Sequence, residues 1–259
     1  MLGSKRHAIE TTVPCFRSVD APGAHLWWTH LPDRQGNHRV TPFVLQCGQT
    51  LVPIALSSLA LITASVVPTR SDCDAALSEI DGIADARIVV LGTDAALAAV
   101  LTRLMRKDRL DVELAYVPET ASEASHLYRI GTGSRAAKVA LSGTATPVPL
   151  IRDDLGTAVV GRATLTGPSG VLTGEAYVDD TRLFSGSVPG VEVTPTLEMP
   201  GLRARVQGRR GLFRAKWVSG RAMQLGTPAA RLTKDGVAST RDAVRSTIYR
   251  HHEQWLLVR

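Results

Sequence analysis

Two aspartates stand where a carboxylate could hold a metal ion or face a phosphate. Asp94 follows the hydrophobic run Ala86-Arg-Ile-Val-Val-Leu91 across the turn Gly92-Thr93, and it opens an Ala- and Leu-rich stretch that ends at Leu101. Strand, turn and helix in that order place a polar residue beyond a strand's carboxyl end, where helix N–H groups and the positive end of a helix dipole are offered. Thr93 and Asp94 are also residue types that cap a helix N-terminus, so ligand binding and capping stand side by side as readings. Asp235 lies in Lys234-Asp235-Gly236, which reads as a hairpin turn. A third candidate is Ile130-Gly-Thr-Gly-Ser-Arg-Ala136, where Gly131 and Gly133 flank a threonine ahead of a helical pattern. His251-His252-Glu253 has metal-ligating residue types without HExxH spacing. Neighbouring side chains of a strand face opposite ways, so the two imidazoles are expected to stay apart.

Between Met199 and Lys234 the chain carries nine basic residues and no acidic one, among them Arg203, Arg205, Arg209, Arg210, Arg214 and Lys216, with Phe213 and Trp217 interleaved. Such a run can be the solvated face of a sheet. It can also meet an anionic membrane surface, where each basic side chain contributes about 1 kcal/mol. No helix-turn-helix, zinc-finger or RNP pattern accompanies it, so no specific nucleic-acid partner is expected. Cys15, Cys47 and Cys73 are scattered and odd in number, which points away from a disulfide framework and towards a reducing cytoplasm. Phe43 to Val67 is apolar and uncharged, but Gln46, Gln49, Pro53 and Ser57-Ser58 argue against a membrane span. That run also starts too far into the chain for a signal peptide. The expected location is cytoplasmic, with peripheral membrane contact through the basic run.

These residues need elements to hold them, and 259 residues with 44% hydrophobic content can build a sizeable core. Residues 1–55 show no sustained period and read as a poorly patterned N-terminal extension. Over 56–147, strands (58–67, 87–91, 112–117) alternate with helices (74–83, 95–105, 122–128, 134–141), the pattern of βαβ units on a parallel sheet. From 148 to 259 short β-type runs separated by Gly, Pro and Asp turns predict an antiparallel, sandwich-like part closed by a strand over 253–258. The expected class is therefore α/β plus β: a parallel α/β domain followed by an antiparallel β-sandwich-like domain.

In order and spacing the chain resembles the diacylglycerol kinase and NAD kinase superfamily, over roughly residues 56–259. That family carries GGDGT after a strand, a later PLGTGN loop, and, in the lipid kinases, a late DGE. Here the matching text is Leu91-Gly92-Thr93-Asp94-Ala95, then Val117-Pro118-Glu119-Thr120, then Lys234-Asp235-Gly236-Val237. The GTG of Gly131 and Gly133 is a rival for the second loop. The resemblance implies transfer of the ATP γ-phosphate to a lipid hydroxyl with Mg²⁺. Gly92, Thr93 and Asp94 would then face the phosphates and metal with Thr120, and Asp235 would lie near the metal or acceptor. The departures bear on that chemistry. Ala95 and Glu119 replace glycines that let backbone approach phosphate, and Val237 stands where the family's glutamate is taken to be the general base. A kinase-like but degenerate protein is one expectation. A non-catalytic lipid- or protein-binding relative using the basic β-rich part is the second, and a small-ligand binder without turnover is the third.

Overall fold

The computed structural model describes residues 40–208 and 216–259. The chain enters its sheet earlier than the sequence suggests. Thr41–Cys47 forms β1, which pairs in parallel with β2 (Leu61–Ala64) on one side and β3 (Ala86–Leu91) on the other. The stretch expected to be an unpatterned extension thus contains an interior strand. A strand covered on both faces has no polar–apolar alternation to betray it, and Pro42 and Gln46 mask its apolar character further. The strand expected over 58–67 shortens to β2. The helix expected over 74–83 is α1 (Arg70–Glu79), started earlier by a capping box in which Thr69 and Asp72 exchange side-chain and backbone hydrogen bonds.

Helix α2 (Asp94–Arg106) crosses from β3 to β4 (Glu113–Val117), which pairs in parallel with β3. Ala96, Leu97, Leu101 and Leu104 bury one side of α2 in the core. Then come α3 (Glu123–Tyr128) and α4 (Gly133–Ser142). Arg87 of β3 is 3% exposed and anchors the end of α4, donating to the carbonyls of Ala140, Leu141 and Gly143 while pairing with Glu113 at 2.7 Å.

The antiparallel part runs through β5 (Ala145–Asp153), β6 (Ala158–Val159), β7 (Ala163–Thr166), β8 (Leu172–Val178), β9 (Thr181–Val188), β10 (Val191–Pro195), β11 (Leu202–Val206) and β12 (Val218–Gly220). It ends with β13 (Ala222–Lys234), β14 (Val237–Ala238) and β15 (Ala243–Val258). β15 joins the two parts. Its first half pairs antiparallel with β13, and its last residues Leu256 and Leu257 lie in parallel beside Glu113 and Leu114 of β4. One path of strands therefore runs β12-β11-β10-β7-β13-β15-β4-β3-β1-β2. Two cores flank the junction. The first gathers β1, β3, β4 and the helices with Val148, Leu150, Trp255 and Leu257; the second gathers Leu165, Val193, Met223 and Ile248. The expected class, parallel α/β followed by antiparallel β, is the one observed. The strand expected over 253–258 completes the first layer and does not close the second. Among the described residues no helix is long and apolar enough to cross a membrane, and residues 43–67 supply β1, a short 3-10 turn and β2.

Candidate functional site

From β1 the chain passes to β2 on one side and then returns to β3 on the other. The connections leaving the carboxyl ends of β1 and β3 consequently depart to opposite sides, the place where open α/β sheets form a crevice. A cleft of about 550 Å³ lies there, lined by Thr50 after β1, Gly92, Thr93 and Asp94 after β3, Pro118 to Glu123 after β4, and Arg162 and Asp235 from the antiparallel part. Gly92 is required by proximity: a Cβ at this position would sit 2.8 Å from the Cys47 Cβ and 3.2 Å from the Ala96 Cβ, where β1 and α2 approach.

The competition between Thr93 and Asp94 for the cap resolves in favour of Thr93, whose hydroxyl accepts the Ala96 N–H. Asp94 is left to turn outward, and it meets α3. Its Oδ1 accepts from the Tyr116 hydroxyl at 2.8 Å and from the Ser122 hydroxyl at 2.6 Å, and its Oδ2 accepts the Ala124 N–H at 3.1 Å. Burial, and after it the Asp94 charge, push the Tyr116 phenol far above its ordinary range, so it remains a donor. Asp94 therefore ties the start of α2 to the start of α3.

Asp235 occupies the hairpin turn between β13 and β14 with φ of 48°, followed by Gly236 at 86°, the paired left-handed conformation of a two-residue turn. Its carboxylate tucks under the loop between β6 and β7 and accepts the N–H groups of Val160, Gly161 and Arg162 at 3.0, 2.8 and 2.9 Å. Burial raises its pKa to about 6 and outweighs those three hydrogen bonds, which favour the ionised form; the Asp94 charge adds to the rise. Between the two aspartates lies Gly161. A Cβ there would stand 2.9 Å from the Asp94 Oδ2 and 3.1 Å from the Ala124 nitrogen.

The cleft thus brings together Gly92, Thr93, Asp94, Thr120 and Asp235, all expected from the sequence. Gly131 and Gly133 are not among its lining residues. Gly133 donates its N–H to the Pro118 carbonyl at 2.8 Å, so the GTG turn packs behind the Pro118 turn and starts α4. Val237, the residue in the glutamate's place, is half exposed on β14. Tyr116, Ser122, Gly161 and Arg162 are the participants that sequence reasoning missed. Only Ser122 carried a signal, as a cap-type residue shortly after Pro118.

Charge in the cleft runs against phosphate. Asp94, Glu119, Glu123 and Asp235 face one arginine, Arg162, which pairs with Glu123 at 3.2 Å and Glu192 at 3.8 Å. A metal held by the chain itself does not fit either. Both oxygens of each aspartate already accept protein donors, and among the described residues no group of three His, Cys, Asp or Glu is placed to hold an ion.

Outside the cleft, the His251 and His252 rings lie 4.2 Å apart, not on opposite faces as expected. The β5–β15 register slips between Arg250 and Gln254, which breaks the alternation of faces. Arg203 and Arg205 stack on Trp217 at 4.5 and 4.2 Å, and Arg205 pairs with Glu192. Lys216 is exposed, and Arg209, Arg210 and Arg214 lie outside the described residues, as does Cys15.

No family model matches the sequence, and no curated protein matches it. Solved structures do. A diacylglycerol kinase from Bacillus anthracis str. Sterne superposes with a TM-score of 0.65 at 13% identity, covering 85% of this chain and 97% of that one. An NAD kinase from Archaeoglobus fulgidus in complex with ATP superposes with a TM-score of 0.56 at 13% identity, covering 84% and 93%. With parallel strands first, a crevice at their carboxyl ends and an antiparallel part stitched on by its last strand, the chain shares its fold with these two solved structures.

Proposed function

We propose that this protein keeps the ligand cleft of the kinase-like fold and does not transfer phosphate. One observation carries the reading: the carboxylates that phosphoryl transfer would need for a metal and for proton acceptance are bound to the protein's own donors, with Val237 where a base would stand. Transfer is positioning and charge stabilisation, and a cleft whose charge opposes the phosphates works against the second. The NAD kinase structure with ATP supports a nucleotide as the class of ligand. Four carboxylates against one arginine favour a ligand of low charge, a nucleoside over its triphosphate.

A second reading rests on Asp235, since a carboxyl titrating at about 6 is suited to take a proton near neutral pH. One experiment separates the two. The full chain is given Mg²⁺, ATP and vesicles containing diacylglycerol, and ADP release and lipid phosphate are measured. The proposal expects both at the protein-free background, with adenosine raising the melting temperature at least as much as ATP. Lipid phosphorylation that Asp235→Asn removes would establish the second reading instead.

A further inference from the structure

A second groove lies on the far side of α2, about 15 Å along the helix from Asp94 at 1.5 Å per residue. It holds about 380 Å³ between the start of α1 and the last two turns of α2, and Thr69, Arg70, Thr102, Arg103, Arg106 and Thr157 line it. Arg103 is 11% exposed and is fixed by Asp74, to which its Nε and Nη2 donate at 2.7 Å each. That contact holds the Asp74 carboxyl below its ordinary range. Arg106 is steered towards the β5–β6 connection by its bond to the Leu155 carbonyl at 3.2 Å. Arg152 converges on the same connection, since the guanidinium nitrogens of Arg152 and Arg106 stand 3.6 and 3.8 Å from a Cβ built at Gly156. Arg70 is 82% exposed and lies within 3.9 Å of Asp74, the one carboxylate that meets both Arg70 and Arg103. The Thr102 hydroxyl accepts the Ala158 N–H and retains its own proton to donate.

We propose that this groove is an anion site that takes a phosphate group, through Arg70 and Arg106 with Arg103 as the rigid floor. Three guanidiniums against Asp74 and Asp72 still leave an excess of positive charge, and the planar fork of arginine matches phosphate oxygens. The groove's charge is opposite to that of the cleft, so the two sites select different ligands. The phosphate can belong to a free phosphorylated small molecule or to a lipid headgroup, and the test has an arm for each.

The full chain is titrated with inorganic pyrophosphate by calorimetry and sedimented with vesicles of phosphatidylglycerol in phosphatidylcholine. Both measurements are repeated on Arg70→Gln with Arg106→Gln, whose side chains are exposed and whose melting temperature serves as the folding control. Removing two charge-assisted contacts is expected to weaken binding by about tenfold or more. Loss of pyrophosphate affinity alone identifies a soluble phosphorylated ligand, and loss of vesicle binding as well identifies a headgroup. Absence of binding in both arms, or binding that the double variant leaves within twofold, overturns the proposal.

Discussion

Replacing Asp94 by alanine strands three donors at once: the hydroxyl of Tyr116, which is 1% exposed, the hydroxyl of Ser122, and the N–H of the buried Ala124. A buried donor without a partner costs about 1–3 kcal/mol. Water entering from the cleft can serve Ser122, so the net loss is set at about 3 kcal/mol, or a fall of roughly 6–12 °C in melting temperature for a unit of this size. Tyr116→Phe alone removes one hydrogen bond and costs about 1 kcal/mol. Because the phenol and the carboxylate share that bond, the double variant is expected to be less damaged than the sum of the singles by about 1 kcal/mol. Asp94→Asn keeps an acceptor for Tyr116 and Ser122 but turns an amide towards the Ala124 N–H, so it falls between wild type and alanine. Urea unfolding followed by circular dichroism measures all four. A loss below about 0.5 kcal/mol for Asp94→Ala, or strict additivity with Tyr116→Phe, refutes the assignment of Asp94 as a structural tie.

Three other outcomes can be checked on the same instrument. Asp235 titrates at about 6 in the fold against 3.8 outside it, so the folded state binds the extra proton and the group's contribution to stability falls as pH rises from about 4 to 6. The stability difference between wild type and Asp235→Asn should therefore drop by up to about 3 kcal/mol from pH 4 to 7, and a flat difference rules out the raised pKa. Arg87→Met removes a buried guanidinium from Glu113 and from the last carbonyls of α4, with an expected cost of about 3–5 kcal/mol. Adding Glu113→Leu should recover part of that loss in denaturant titration. Gly161→Ala must push against Asp94 and the Ala124 nitrogen, and a loss of about 1–3 kcal/mol is expected; a neutral result would mean that the loop gives way freely.

The fold was largely legible because its helices carry local signals. Thr69 with Asp72, Thr93, and Ser122 with Ser125 mark helix starts, and the apolar run from Ile88 to Leu91 is buried at every position, as in a strand covered on both faces. β1 escaped because Pro42 and Gln46 interrupt its run. The role of β15 escaped because a strand's text does not say with whom it pairs, and Leu256 meets Glu113 across more than half of the chain. The candidate site was legible as two aspartates and three small neighbours, and no further. Its other half is non-local: Tyr116 and Ser122 reach Asp94 from β4 and the start of α3, and Gly161 and Arg162 come from the β6–β7 loop of the antiparallel part.

That division shows how an aspartate at the end of β3 can have a structural role of its own. In a phosphate-binding turn the carboxylate needs open space before it and glycines around it, and neither Ala95 nor Glu119 provides them. Here the carboxylate borders the cleft but is engaged from within by the Tyr116 and Ser122 hydroxyls and the Ala124 N–H, and Gly161 packs against Oδ2. The same carboxylate then contributes to stability whatever the cleft binds. Asp94 would be retained on those grounds alone, so its presence does not argue for catalysis. The residues that bear on catalysis are the ones with no structural reason to differ. Val237 is half exposed and its turn geometry is set by Asp235 and Gly236, so a glutamate would fit there without strain. Val237→Glu is accordingly expected to leave stability within about 0.5 kcal/mol. If that single change produced ATP-dependent lipid phosphorylation, the cleft's charge would not be the barrier inferred here.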